Sequence, residues 1–155
     1  MKALLPVILS PLIALTGFAW EPHGRQPVLG DTYSVFQEFV GKAGHPGIRG
    51  CTQWDFYGPK GNLGGMLGAW FKDGKAEAII FGLNNPFSEQ QIQTLLHEFS
   101  QNLNWEQSKE SAGDQMNFSS LDYRYSAWVV DLGTTTHAIC IAYTGWFREG
   151  HLSDQ

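Results

Sequence analysis

Residues 67–83 read Leu-Gly-Ala-Trp-Phe-Lys-Asp-Gly-Lys-Ala-Glu-Ala-Ile-Ile-Phe-Gly-Leu. Two apolar runs flank Asp73-Gly74, a dipeptide suited to the positive φ angles of a two-residue type I′ turn. The stretch therefore predicts a β-hairpin with strands over 67–72 and 75–83. Immediately downstream, Phe87-Ser88-Glu89-Gln90-Gln91-Ile92 carries a capping box. Ser88 is the N-cap, Gln91 reaches back, and Phe87 and Ile92 hold the hydrophobic-staple positions. Ile92, Leu95, Leu96, Phe99 and Leu103 recur at helical spacing. They predict a long amphipathic helix over 88–104, with Trp105 packed at its exit.

The rest of the chain follows from these two elements. Upstream, Asp31 or Thr32 caps a shorter helix over 31–40, with Val35, Phe36, Phe39 and Val40 as its stripe. A strand is expected over 51–57 and a glycine-rich loop over 58–68. Three further strands are expected over 116–121, 123–132 and 137–147, the last two joined as a hairpin through residues 133–136. No repeat is visible in the sequence. The expected fold is a single α+β domain: a mainly antiparallel sheet of five to six strands, the long helix on one face, and the shorter N-terminal helix.

Strand residues alternate faces, so the pattern also predicts what each face carries. Ala76, Ala78 and Ile80 share one face of their strand, and Ala138, Cys140 and Ala142 share one face of theirs. Small side chains let a helix approach closely, which places the 88–104 helix there. The opposite face carries Ile79, Phe81, Ile139, Ile141 and Tyr143. A large apolar face of this kind reads as an interaction surface for a protein partner or a second copy of the chain.

The chain has 155 residues, 43% hydrophobic, 16% charged and 14% aromatic, including six Trp, five Tyr and ten Phe. That composition excludes a disordered or collagen-like chain. Residues 1–19 have the layout of a secretory signal peptide: Lys2, an apolar run, then Gly17-Phe18-Ala19. Cleavage is expected before Trp20, leaving residues 20–155 as the folded domain in an extracytoplasmic compartment, periplasmic or secreted. The run is broken by Pro6, Ser10 and Pro11 and is short for a membrane span. With a net charge of −5 and no basic stripe, nucleic acid and anionic membrane surfaces are not expected partners. Two cysteines in an oxidising compartment suggest one Cys51–Cys140 disulfide, worth roughly 4 kcal/mol by the chain-entropy estimate. The alternative is two separate buried thiols.

Several chemistries fail on spacing. His97-Glu98-Phe99-Ser100-Gln101 begins like a zinc-protease helix but has Gln where the second His must stand. His137 and Cys140 are three apart on a strand and so face opposite sides. The glycines of 58–68 lack the Gly-Lys-Ser/Thr of a phosphate loop, and no Gly-x-Ser-x-Gly elbow occurs. Asp55 and Asp131 are weak candidates for paired carboxylates. Trp54, Trp70, Trp128 and Trp146 fall in expected strands and read mostly as packing, with one or two left for a surface. The Asn117-Phe118-Ser119 sequon lies inside an expected strand. No catalytic residue, cofactor or metal site is predicted. The leading expectation is a non-catalytic binding module. The alternatives are a small hydrolase with a loop-built site, and a carbohydrate- or small-ligand-binding domain using exposed aromatics.

Overall fold

The computed structural model describes residues 23–57, 63–100, 103–108, 116–131 and 137–149. The expected leader, most of the 58–68 glycine segment's first half and the 133–136 link lie outside the described residues. Two α-helices, α1 (Tyr33–Val40) and α2 (Glu89–Phe99), accompany one antiparallel sheet. Its eight strands are β1 (His45–Pro46), β2 (Thr52–Tyr57), β3 (Leu63–Lys72), β4 (Lys75–Leu83), β5 (Trp105–Gln107), β6 (Met116–Ser120), β7 (Tyr125–Asp131) and β8 (His137–Tyr143). They lie in the order β1-β2-β3-β4-β8-β7-β6-β5. The α+β class and the antiparallel sheet agree with the sequence reading, while the strand count of five to six is too low. The two additional strands, β1 and β5, have two and three residues and sit at the sheet edges, too short for any periodicity to reveal them.

The strongest local signals fold as read. Asp73 and Gly74 both have positive φ, 50° and 76°, as the type I′ turn requires. The Ser88 hydroxyl accepts from Gln91 N–H, and the Gln91 carboxamide oxygen accepts from Ser88 N–H. The α2 helix is shorter than 88–104, ending at Phe99 with Ser100 as C-cap; the Ser100 hydroxyl donates to the Leu96 carbonyl and accepts from the Trp105 indole. The glycine segment is strand from Leu63 onward. β8 ends at Tyr143, and Trp146 and Phe147 follow it in turn and 3₁₀ structure.

The face assignment is reversed. Ile79, Phe81, Ile139 and Ile141 are 0–1% exposed and share one core with Phe36, Phe39 and Val40 of α1 and with Ile92, Leu95, Leu96 and Phe99 of α2. Both helices cover the large-residue face, so these four residues form no interaction surface; only Tyr143 of that set is exposed, at 40%. The small residues Ala78, Ala138, Cys140 and Ala142 lie on the other face with Ile80, and what packs there is aromatic: Trp70, Trp146 and Phe147, with Trp128 at the margin. Trp128 stacks on Phe147 at 4.2 Å, and Trp70 meets Trp146 at 5.0 Å. Alanine-sized side chains make room for indoles as well as for a helix, and branched side chains fill the grooves of an amphipathic helix better. Ala76 also departs from expectation. A bulge that skips Glu77 on β4, between the Trp70–Ala78 and Phe71–Ala76 pairs, turns Ala76 toward the helices, where Phe71 already points by alternation with Leu67 and Ala69.

Cys51 and Cys140 are not bonded. Both are buried free thiols on the aromatic face. Cys51 lies over Gly68, and the register runs Gly68–Ile80–Cys140, so β4 and its Ile80 separate the two sulfurs. Burial raises the Cys51 thiol to about 11 and holds the Cys140 thiol well above its ordinary range, so neither is a ready thiolate.

The order of elements holds a symmetry that the sequence does not show. Each half runs helix, short strand, then three longer strands: α1-β1-β2-β3-β4, then α2-β5-β6-β7-β8. Because β4 pairs with β8 and each half continues outward from there, a pseudo-two-fold axis passes between Ile80 and Cys140. Two rows of residues cross the helix-facing side. One runs Trp54, Leu67, Phe81, Ile139, Val129, Met116. The other runs Phe118, Ala127, Ile141, Ile79, Ala69, Thr52. The axis exchanges them, so Trp54 corresponds to Phe118 and Thr52 to Met116.

Intact-mass measurement after alkylation without reductant tests the cysteine assignment. We expect two adducts on the denatured chain and slow or no labelling of the native one; a denatured chain that takes no adduct would establish the disulfide instead.

Candidate functional site

A groove of about 280 Å³ opens where the start of α2 meets the β5–β6 edge. Its apolar walls are Phe87, Ile92, Met116 and Phe118, of which Ile92 and Phe118 belong to the main core. Its rim is polar: Glu89, Gln93 and Gln107, all exposed. The local sequence builds this directly. The Ser88 capping box fixes where α2 begins, so Glu89 and Gln93 fall one turn apart on the outer side and Ile92 between them points inward. On β6, Met116 and Phe118 share one face by strand alternation. A groove with apolar walls, two carboxamides and one carboxylate suits an apolar body carrying a small number of polar groups.

The corresponding place in the first half is filled. Tyr33 is the first residue of α1 as Glu89 is of α2, following N-caps Thr32 and Ser88. Its ring lies 5.7 Å from the Trp54 ring and 6.0 Å from that of Phe71. Phe36, in the place of Ile92, stacks on Trp54 at 5.6 Å and an interplanar angle of 14°. The Tyr33 hydroxyl accepts from the Gly44 N–H, 3.1 Å away. Gly44 faces Trp54 as Gln107 faces Phe118, and it has no room for a side chain: a Cβ there would stand 2.5 Å from Thr52 Cγ2 and 2.8 Å from Trp54 Cε2. Two rings and a close backbone thus occupy the space that Glu89, Phe118 and Gln107 leave open.

A polar cluster lies at the opposite edge of the sheet. His45 Nε2 is 2.7 Å from Asp55 Oδ2, and His45 Nδ1 is 3.0 Å from the Pro46 carbonyl oxygen. Gln53 donates to Asp55 Oδ1 at 2.6 Å, and Lys42 Nζ donates to the Asp55 carbonyl at 2.8 Å. Both imidazole nitrogens face acceptors, which only the protonated ring satisfies fully. The Pro46 carbonyl first, then Asp55, raise the His45 pKa above 6.5. Asp55, a carboxylate candidate from sequence, therefore ties the short β1 to β2.

The remaining sequence candidates do not gather. His97 is exposed and Glu98 half-buried on α2, and Asp131 is a register partner of His137 across β7–β8. Among the described residues no group of three or more His, Cys, Asp or Glu side chains is placed to hold a metal ion, and no helix is long and apolar enough to cross a membrane. Trp54, Trp70 and Trp146 are buried, leaving Trp128 as the partly exposed member of the four. The groove escaped sequence reading because its residues come from a helix start and two strands whose edge position is a tertiary fact. The available signal was the contrast after the N-caps, Tyr33 in one helix and Glu89 in the other.

Searches against protein-family models, curated proteins and solved structures found no match to this chain.

The His45 assignment is open to NMR titration. We expect a midpoint above 6.5 and a return toward 6.5 in Asp55→Asn. With the folded pKa raised, the pair's stabilisation is fully present below about pH 6.5 and is lost as pH rises through the folded value. An unshifted midpoint would dissolve the latch.

Proposed function

We propose that this protein is an extracytoplasmic, non-catalytic binding module whose site is the groove between the start of α2 and the β5–β6 edge. One observation carries the reading: the two halves of the sheet are built alike, and the space that the first half fills with its own aromatic side chains is open in the second among the described residues. The sheet face expected from sequence to bind a partner is core, so the binding role passes to the groove. Its walls are apolar and its rim offers donors and acceptors without a histidine, cysteine or serine among the lining residues. That composition favours recognition over acyl transfer or metal-assisted hydrolysis. Export rests on the Met1–Ala19 leader pattern.

Two measurements test this. N-terminal sequencing of the exported protein should begin at Trp20; a cytosolic chain retaining Met1 would remove the extracytoplasmic part. A fragment screen by ¹H–¹⁵N NMR should give saturable shifts concentrated on Phe87, Ile92, Gln107 and Phe118. Hits that map elsewhere on the protein, or no saturable hit, would contradict the site.

A further inference from the structure

The filled half of the sheet gives a chemical picture of what the open half would hold. In the first half the occupant is the Tyr33 phenol ring, flanked by Trp54 and Phe71, with its hydroxyl oxygen accepting a hydrogen bond from Gly44 N–H. In the second half the wall persists at three positions, while the axis puts Asp131 at the register position of Phe71 and Phe87 lines the groove from the helix side. Phe118 stands for Trp54, Ile92 for Phe36 and Met116 for Thr52, and Met116 adds a thioether of the kind that contacts aromatic rings favourably. The plug is gone because the first residue of the helix is Glu89 and not an aromatic. Gln107, in the place of Gly44, sets an amide at the far end of the groove. The space suffices: a cavity of roughly 150 Å³ already accepts benzene, and this groove measures about 280 Å³.

From this correspondence we propose that the groove binds a phenolic ring bearing a cationic arm, the ring against Phe118, Ile92 and Met116, its hydroxyl toward Gln107, and its cation beside the Glu89 carboxylate. Charge complementarity selects the arm. Glu89 is the one ionisable side chain lining the groove among the described residues, and the whole chain carries −5. A carboxylate at the rim disfavours an anionic arm and attracts an amine. The occupant is a small phenolic amine, since a groove of about 280 Å³ has room for one ring and its arm. The inference rests on the groove being the binding site, and adds the class of ligand.

Titration of the purified protein with tyramine, monitored by ¹H–¹⁵N NMR, tests it. Tyramine should shift Phe87, Ile92, Gln107 and Phe118 saturably. 4-Hydroxyphenylacetate, the same ring with a negative arm, should bind about tenfold more weakly. Butylamine should leave those residues unmoved. Glu89→Tyr, which restores the plug of the first half, should abolish tyramine binding. Glu89→Gln, which adds no bulk and keeps the groove open, should bind the two ring probes alike. Tyr33→Ser should create a second set of tyramine shifts around Trp54 and Phe36. A blocked Lys-Tyr peptide should bind less tightly than tyramine; tighter binding would assign the ring to a partner chain and overturn the small-molecule occupant.

Non-aromatic fragments that bind the groove as well as tyramine would overturn the ligand class while leaving the groove a binding site. A groove that no probe shifts would overturn both. Tyramine affinity unchanged in a folded Glu89→Tyr, or an unchanged charge preference in Glu89→Gln, would also overturn the proposal.

Discussion

The segregation of side-chain size across the β4–β8 pair is the constraint on which the rest of the fold depends. On one face this central pair carries Ile79, Phe81, Ile139 and Ile141; on the other, Ala78, Ala138, Cys140 and Ala142 with Ile80. The branched and aromatic side chains fill the apolar stripes of both helices, and burying a side chain of that size contributes about 1.5–3 kcal/mol. The small residues leave a shallow face on which Trp70, Trp146 and Phe147 pack against one another, Trp70 tilted on Trp146 and Phe147 edge-on to it. Exchanging the two sets would put branched residues under the indoles and alanines under the helices, leaving voids on one side and clashes on the other.

That pair also fixes the pseudo-two-fold axis, and the axis makes the two ends of the helix layer comparable. Both helices start from a Ser/Thr N-cap and lie over the same two rows of the sheet. What differs is the outermost residue of each site. Tyr33, Trp54 and Gly44 close one end; Glu89, Phe118 and Gln107 leave the other open. The closed end shows that the scaffold tolerates a filled site, so the opening at α2 follows from side-chain choice and not from the backbone plan. The polar latch of His45 and Asp55 lies at the closed end, where it ties a two-residue edge strand to its neighbour.

Much of the architecture was legible in the sequence because its signals are local. The Asp73-Gly74 turn, the Ser88–Gln91 capping box, the alternation within β8 and that of β4 from Ala78 onward each act over a few residues and fold as read. Three features were not legible for a common reason: each is decided between strands. Which sheet face the helices cover depends on packing against both of them. Whether Cys51 reaches Cys140 depends on Ile80 standing between them in the register. The edge strands β1 and β5 owe their existence to pairing with β2 and β6, not to any pattern of their own. The groove combines all of these, needing the helix start, the edge pairing and the correct face at once.

Both helices cover the Ile79–Phe81–Ile139–Ile141 face. The most direct measurement is the set of through-space proton contacts at the central strands, read by NOE spectroscopy on the isotope-labelled protein. Cross-peaks are expected from the Phe81 ring to Phe87 and Phe99, and from Trp128 to Phe147, whose rings lie 6.3, 6.4 and 4.2 Å apart between centroids. Cross-peaks from Ala78, Ala138 or Cys140 to Leu95 or Leu96 would place α2 on the small-residue face and contradict it.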